Sequence, residues 1–134
     1  MKISHIGVSV SNLEKSIEFY EKNFGLKCSE IFHIDSAQLQ VCLLKKEDTC
    51  VELFCFDRFS PLPEYRRKVE DDLKVLGVKH FAFEVEDIDQ TYAHLKEAGV
   101  KFATDIKVFE NGQRYFFIRD PDDILIEVIE AKNN

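Results

Sequence analysis

The 134-residue chain has no tryptophan, one methionine, three prolines and five glycines. Its four cysteines form no CxxC pair, which argues against a cysteine-ligated zinc site and favours free thiols in a reducing compartment. These cysteines are Cys28, Cys42, Cys50 and Cys55. Basic residues are outnumbered, 18 against 25 acidic ones, and the net charge is −7. Because such a charge repels phosphate backbones, we expect no nucleic-acid partner.

Long apolar runs are also missing. No stretch is long enough to cross a membrane, and residues 1–10 lack the basic-then-apolar layout of a signal peptide. We therefore expect a cytoplasmic protein with no membrane partner. The hydrophobic content of 45% and the length suit one globular domain over residues 1–134.

The sequence contains an internal repeat. His5 opens an apolar run, and His80 opens a second one. Glu52 stands within a later apolar run of the first half, as Glu127 does in the second. The offset is 75 residues for both, since 80 minus 5 and 127 minus 52 give the same value. A repeat of this kind predicts two copies of one structural module.

Each half reads as a strand, a helix and further strands. Apolar spacing and capping residues predict one helix over about residues 12–24 that ends at Gly25, and another that starts at Asp87 or Asp89 and ends at Gly99. Alternating segments predict strands at about 31–34, 37–44, 49–56, 101–108, 113–119 and 124–129. The order is βαβββ twice, an α+β fold. Module one covers about 1–56, a connector with a short exposed helix near 64–76 covers 57–77, and module two covers 78–134.

Strand parity places the repeated acidic residues away from the helices. Val51 and Leu53 face the helix side, so Glu52 faces the other, and Glu127 follows the same rule. A carboxylate within an apolar strand needs a partner. His5, Glu52, His80 and Glu127 would together suit one divalent metal ion, Ni²⁺, Zn²⁺, Co²⁺, Mn²⁺ or Fe²⁺. The alternative is a repeat fold that keeps these residues for hydrogen bonding.

Several motifs carry a resemblance to a known family. They are His5–Val10 with Asn12-Leu13, Phe24-Gly25-Leu26, Val51-Glu52-Leu53, His80-Phe81-Ala82-Phe83, and Phe117–Asp122 running into Ile126-Glu127-Val128. The whole chain resembles the vicinal oxygen chelate superfamily, which includes glyoxalase I, bleomycin-resistance proteins, extradiol dioxygenases and methylmalonyl-CoA epimerase. The resemblance implies two tandem βαβββ modules that form a curved mixed sheet around a U-shaped metal cleft. It also implies a small-molecule substrate and a homodimer, with the site within one chain or across two.

The four candidate ligands match the two-His, two-Glu set of glyoxalase I. The resemblance therefore implies a metal-dependent lyase or isomerase, similar to lactoylglutathione lyase, that acts on a substrate with vicinal oxygens. Glu127 or Glu52 would then be the catalytic general base. The alternatives are a non-catalytic drug- or metabolite-binding protein of bleomycin-resistance type, with an aromatic lining, and an extradiol-type dioxygenase. Candidate lining residues are Phe54, Phe56, Tyr115 and Phe117. Ser9 stands where glyoxalase I usually has a basic residue for glutathione.

Overall fold

The computed structural model describes residues 1–133 and divides them into two units, Met1–Pro61 and a second that begins at Leu62. The division falls inside the segment 57–77 that the sequence predicts as a connector. Over residues 1–133, no helix is both long enough and apolar enough to pass through a membrane.

The first unit is a four-stranded sheet with one α-helix. Its elements are β1 (Ile6–Ser9), α1 (Leu13–Phe24), β2 (Lys27–Ile34), a 3₁₀ turn (Asp35–Ala37), β3 (Leu39–Lys46) and β4 (Thr49–Phe56). The strand order is β1-β4-β3-β2, in which β1 runs parallel to β4 and the other neighbours are antiparallel. This places β1, which follows His5, directly beside β4, which carries Glu52.

Helix α1 begins and ends where its capping residues predict. The Asn12 side chain accepts a hydrogen bond from the Lys15 N–H at 3.0 Å, which satisfies one of the free donors of the first turn. Gly25 takes the left-handed conformation, φ 70°, that terminates helices. Tyr20 of this helix is fully buried, as are Val51 and Leu53 of β4. The helix therefore covers one face of the sheet and leaves the Glu52 side to the other face.

The second unit repeats this plan with one more strand. Its elements are a 3₁₀ turn (Glu64–Arg67), α2 (Val69–Leu73), β5 (Phe81–Val85), α3 (Ile88–Glu97), β6 (Lys101–Phe102), β7 (Lys107–Val108), β8 (Arg114–Arg119) and β9 (Leu125–Glu130). The strand order is β5-β9-β8-β6, and β7 also pairs with β8. Strand β5 runs parallel to β9, as β1 does to β4. The two βαβββ modules expected from the repeat are thus present, and the α+β fold is confirmed.

The prediction of one strand over 101–108 is wrong. Two short pieces replace it, and their register against β8 changes by two residues between Phe102 and Lys107. The N–H groups of Ala103 and Thr104 both donate to the carbonyl of Phe117, and the Thr104 hydroxyl accepts from the Phe117 N–H. These bonds keep residues 103–106, between β6 and β7, from pairing with β8 as a regular strand.

The single exposed helix predicted over 64–76 is also wrong. A 3₁₀ turn and the five-residue α2 replace it, separated by Lys68 in an extended conformation. Asp72 is buried at 3% exposure and forms ion pairs with Arg66 at 3.2 Å and Lys79 at 3.5 Å. Most of residues 64–76 are exposed, as predicted, but the segment is two short helical pieces, one of which holds the buried Asp72, rather than one helix.

Candidate metal centre

The first half of the candidate centre is a contact between His5 and Glu52. The Nε2 atom of His5 lies 2.9 Å from Oε2 of Glu52. Across the parallel ladder Gly7 is opposite Glu52, so the imidazole just before β1 reaches the carboxylate on β4. The His5 side chain is 46% exposed and that of Glu52 is 18% exposed. A histidine and a carboxylate are therefore already adjacent on the face that α1 leaves open.

The second half repeats this contact. The Nε2 atom of His80 lies 3.1 Å from Oε2 of Glu127, and here the side chains are 19% and 11% exposed. Ala82 is opposite Glu127 in the ladder, the position that Gly7 holds in the first unit. The ring of Phe117 meets the His80 ring edge-on with 4.7 Å between centroids. The second pair is therefore more enclosed than the first.

The burial of the flanking residues confirms that Glu52 and Glu127 face away from the helices. Ile126 and Val128, which flank Glu127, are fully buried, as Val51 and Leu53 are around Glu52. In both strands the flanking residues enter the core, and the carboxylate projects to the opposite face, where it meets a histidine. Alternation along a strand fixes this outcome.

Ser4 is a contributor that the sequence pattern does not reveal. Its hydroxyl lies 3.1 Å from Nδ1 of His5 and so contacts the ring nitrogen remote from Glu52. Such a contact fixes the orientation of an imidazole, as partners of metal-binding histidines do. The repeat gives no signal for Ser4, because the position equivalent to it carries Lys79.

An aromatic ring lies beside each pair. A Cβ added to Gly7 would stand 3.0 Å from Cε2 of Phe54, so that ring lies directly over the glycine next to Glu52. Of the other predicted lining residues, Phe117 is buried beside His80, whereas Phe56 is 41% exposed. Tyr115 stacks on Phe109 with 4.0 Å between centroids. Among the predicted lining residues, Phe117 therefore contacts His80, and Phe54 lies against Gly7, which is opposite Glu52.

Two arginines of the second unit, Arg114 and Arg119, already have partners. Arg114 binds Glu130 and Asp89 through hydrogen bonds, which raise the pKa of the guanidinium, and the same contact with Arg114 lowers the pKa of Glu130. Arg119 donates to the carbonyl of Arg67 at 2.6 Å. Both arginines therefore serve the fold.

The donor chemistry of the two pairs fits a divalent metal. Each pair presents one imidazole nitrogen and one carboxylate oxygen, a borderline set that suits zinc and its first-row neighbours. Two ligands each about 2.1 Å from one ion lie about 3.4 Å apart at a tetrahedral angle and about 3.0 Å apart at an octahedral one. The N–O separations here, 2.9 Å and 3.1 Å, are near the octahedral value and are also the lengths of hydrogen bonds. Throughout residues 1–133 the structure groups no more than two such side chains at one point. Each pair thus supplies half of the predicted four-ligand set, and that set stays a prediction.

Comparisons with known proteins place the chain among relatives of several activities. A curated protein of Bacillus subtilis (strain 168), named a probable trivalent organoarsenical cleaving enzyme, is 32% identical over 139 residues; the match covers 100% of this chain and 83% of that protein. The mitochondrial methylmalonyl-CoA epimerase of Homo sapiens is 25% identical, with 97% of this chain and 74% of that protein covered.

A solved structure and a family model agree on the fold. The crystal structure of a glyoxalase family protein from Enterococcus faecalis superposes with a TM-score of 0.83 and 28% sequence identity, covering 96% of this chain and 97% of that one. The family model described as Glyoxalase/Bleomycin resistance protein/Dioxygenase superfamily matches residues 2–128. Because that match spans nearly the whole chain, this protein belongs to the glyoxalase/bleomycin resistance protein/dioxygenase superfamily.

Proposed function

We propose that this protein is a metal-dependent lyase or isomerase of the glyoxalase I type that acts on a small substrate with two adjacent oxygens. The observation that carries the proposal is the repeated contact of a histidine with a glutamate, at 2.9 Å and 3.1 Å. Both contacts occupy the same place in their unit, between the start of the first strand and the middle of the last.

One His–Glu pair supplies too few donor atoms for a metal site. Catalytic zinc-type sites have three or more protein ligands, and each pair offers two. The proposed ligands are therefore His5, Glu52, His80 and Glu127 together, drawn from one chain or from two copies in a homodimer. The set contains no cysteine, unlike a typical closed structural zinc site, and an ion that takes five or six ligands would keep positions for water or substrate beside these four.

The bound ion would act as a Lewis acid on the two substrate oxygens and so acidify the neighbouring C–H bond. The chain itself must then move a proton. Glu52 and Glu127 are the carboxylates beside the imidazoles, and we assign one of them as the general base that takes the proton from one carbon and returns it to the next. Ser4, by holding Nδ1 of His5, keeps the Nε2 of that ring directed at Glu52.

Elemental analysis tests the ligand set. The untagged protein and a His5→Ala/Glu127→Ala variant, which removes one ligand from each pair, are titrated with Ni²⁺, Zn²⁺, Co²⁺, Mn²⁺ and Fe²⁺ after chelator treatment. We expect one ion per four-ligand set in the parent and none in the variant. A His33→Ala/Glu30→Ala variant removes an exposed histidine and glutamate of β2 and serves as the control. Light scattering on the same samples gives the number of chains per ion, and a metal-free parent would contradict the proposal.

Proton transfer tests the assignment of the base. Glu52→Gln and Glu127→Gln are compared with the parent, all loaded with the preferred ion, on the hemithioacetal of methylglyoxal and glutathione and on methylmalonyl-CoA. Product formation and exchange of the carbon-bound proton with deuterated water are both followed. Removal of a general base is expected to lower the rate by about 10²–10⁴-fold. Unchanged exchange in both variants, or no exchange by the loaded parent on either substrate, would refute the assignment.

A second candidate reaction is cleavage of a trivalent organoarsenical. The observation that favours it is the Bacillus subtilis relative, which is 32% identical over the whole of this chain. The test incubates the metal-loaded protein with a trivalent methylarsenical and measures inorganic arsenite. Arsenite release, with activity restricted to a redox-active ion such as Fe²⁺, would select this reaction over the isomerase. Proton exchange without arsenite release would select the isomerase.

A further inference from the structure

Two of the four free cysteines touch each other. The Sγ atoms of Cys28 and Cys42 are 3.1 Å apart, although 14 positions separate these residues in the sequence. Cys28 lies near the start of β2 and is partly buried, whereas Cys42 in β3 is fully buried. The contact lies on the face of the first sheet that α1 covers, so it is remote from the face that carries Glu52.

The pairing of the strands fixes this contact. Cys28 is opposite Leu44 in the antiparallel ladder, and Cys42 lies two residues before Leu44, so both thiols project from the same face as diagonal neighbours. The register shifts between Cys28 and Glu30, a bulge of the kind that increases the local twist of a strand. We attribute the close approach of the diagonal thiols to this bulge.

Two further bonds hold the backbone around Cys28. The N–H of Cys28 donates to Oε2 of Glu21 on helix α1 at 3.0 Å, and the Ser29 hydroxyl donates to the carbonyl of Leu43 at 3.1 Å. The first bond ties the start of β2 to the helix, and the second ties it to β3. The segment that carries Cys28 is therefore fixed to α1 and to β3, the strand that carries Cys42.

We propose that Cys28 and Cys42 are a modification site, a dithiol that is reversibly oxidised to an intramolecular disulfide within the folded first unit. A disulfide requires an S–S distance of about 2.05 Å, so the sulfurs must approach by roughly 1 Å. Diagonal positions of an antiparallel pair are ordinarily farther apart than the Cα separation of a disulfide, so the bulge between Cys28 and Glu30 must bring the two backbones closer as the bond forms. The proposal does not involve the metal ligands and holds whatever reaction the protein catalyses.

The oxidant is a low-molecular-weight disulfide. The sulfur of the partly exposed Cys28 attacks one sulfur of that disulfide, whose S–S bond breaks, and the departing thiolate takes the Cys28 proton. The sulfur of Cys42 then attacks Cys28 in the mixed disulfide and displaces the second thiol, which takes the Cys42 proton. In balance, two protein thiols are oxidised to one disulfide, and one small disulfide is reduced to two thiols. A reduced thiol in excess reverses both steps.

The order of attack follows from exposure. Burial and the hydrogen bond with Cys28 raise the pKa of the Cys42 thiol from 9.0 to about 12, so Cys42 is a poor first nucleophile. Cys28 is only partly buried, whereas Cys42 is fully buried. A small disulfide in solution can therefore reach Cys28 first.

The remaining cysteines provide a matched control. Cys50 and Cys55 lie on β4, and across the ladder they are opposite Lys45 and Gln40 rather than another cysteine. The folded protein is equilibrated in glutathione buffers of increasing oxidised fraction, alkylated, digested and analysed by mass spectrometry. After digestion with trypsin, residues 28–45 form one peptide that contains both cysteines, and we expect it without alkylation and lighter by two hydrogen atoms than the reduced peptide. The same bond should form in Cys50→Ser/Cys55→Ser, be absent in Cys28→Ser, and disappear after dithiothreitol treatment.

Thermal melting of the oxidised and reduced forms supplies a second readout. A disulfide that closes a loop of this length is expected to raise the melting temperature by about 10 °C, with no change in Cys28→Ser treated in the same way. The proposal is overturned if Cys28 and Cys42 stay alkylatable in the folded protein under conditions that oxidise the urea-unfolded chain. It is equally overturned if oxidation yields only glutathione adducts or bonds between chains, or if it lowers the melting temperature.

Discussion

Gly7 shows at the scale of one residue how close the Phe54 ring lies to the strand beside Glu52. The glycine lies opposite Glu52, and an added Cβ would stand 3.0 Å from the ring of Phe54. We expect Gly7→Ala to displace the end of that ring by a few tenths of an ångström and to lower the free energy of unfolding by about 1 kcal/mol. Urea denaturation measures the change, with Ser9→Ala on the same strand face as control. A Gly7→Ala variant as stable as the parent would show that Phe54 moves at no cost.

The contact of Glu130 with Arg114 makes the stability of the protein depend on pH. Hydrogen bonds from Arg114 at 2.8 Å and 3.0 Å lower the pKa of this carboxyl below its ordinary value of 4.5. A carboxyl with a lowered pKa in the folded state stabilises the protein fully above pH 4.5, and this stabilisation is lost as the pH falls through the folded-state pKa.

Glu130→Gln should therefore melt at a lower temperature than the parent at neutral pH, and the difference should shrink on acidification to about pH 3. Thermal melts at both pH values measure it, with the exposed Glu97→Gln as control. A difference that stays constant between the two pH values would rule out the ion pair as its source.

The N-cap of helix α1 shows how one side chain stabilises a whole secondary-structure element. The Asn12 side chain satisfies the Lys15 N–H, and Asn12→Ala leaves that donor without its partner. The expected loss is about 1 kcal/mol, whereas Asn12→Asp should keep the cap and the stability. Circular dichroism during urea denaturation measures both. Equal losses in the two variants would mean that the cap contributes nothing.

Elements whose boundaries depend on local side chains could be predicted from the sequence. Asn12 and Gly25 delimit α1, and Asp87 caps α3 by accepting from the Gln90 N–H, all from residues adjacent in sequence. Strand alternation alone placed Glu52 and Glu127 on the face away from the helices. The 75-residue offset predicted that the two halves repeat, and in each half the glutamate contacts the histidine of the same unit, a pairing that the offset did not predict. The meeting of all four residues at one metal ion stays a prediction.

Elements that depend on distant partners could not be predicted. The interruption of the strand at 103–106 is set by hydrogen bonds to Phe117, and the broken helix of the connector by the burial of Asp72 against Lys79. The contact of Cys28 with Cys42 arises from a shift in register, which no local pattern encodes. In each case a partner remote in the sequence outweighs the intrinsic preference of the segment.

The whole molecule should respond to the metal through its stability. A ligand that binds only the folded state at about 100 times its Kd adds about 2.7 kcal/mol to the free energy of unfolding. We expect the preferred ion to raise the melting temperature of the parent by several degrees and a chelator to reverse the shift. His5→Ala/Glu127→Ala should not respond to the ion. Equal shifts in both proteins would indicate binding elsewhere.

The parallel ladders that hold the His–Glu pairs have a consequence for the order of folding. His80 and Glu127 are 47 positions apart, and the same separation holds for His5 and Glu52, whereas the antiparallel neighbours of each sheet are joined by much shorter loops. Contacts between distant positions require closure of a long loop and form slowly. We expect the hairpins to form first and β1 and β5 to dock last. A chain that emerges from the ribosome would therefore gain its histidine–glutamate pairs only when each unit is complete.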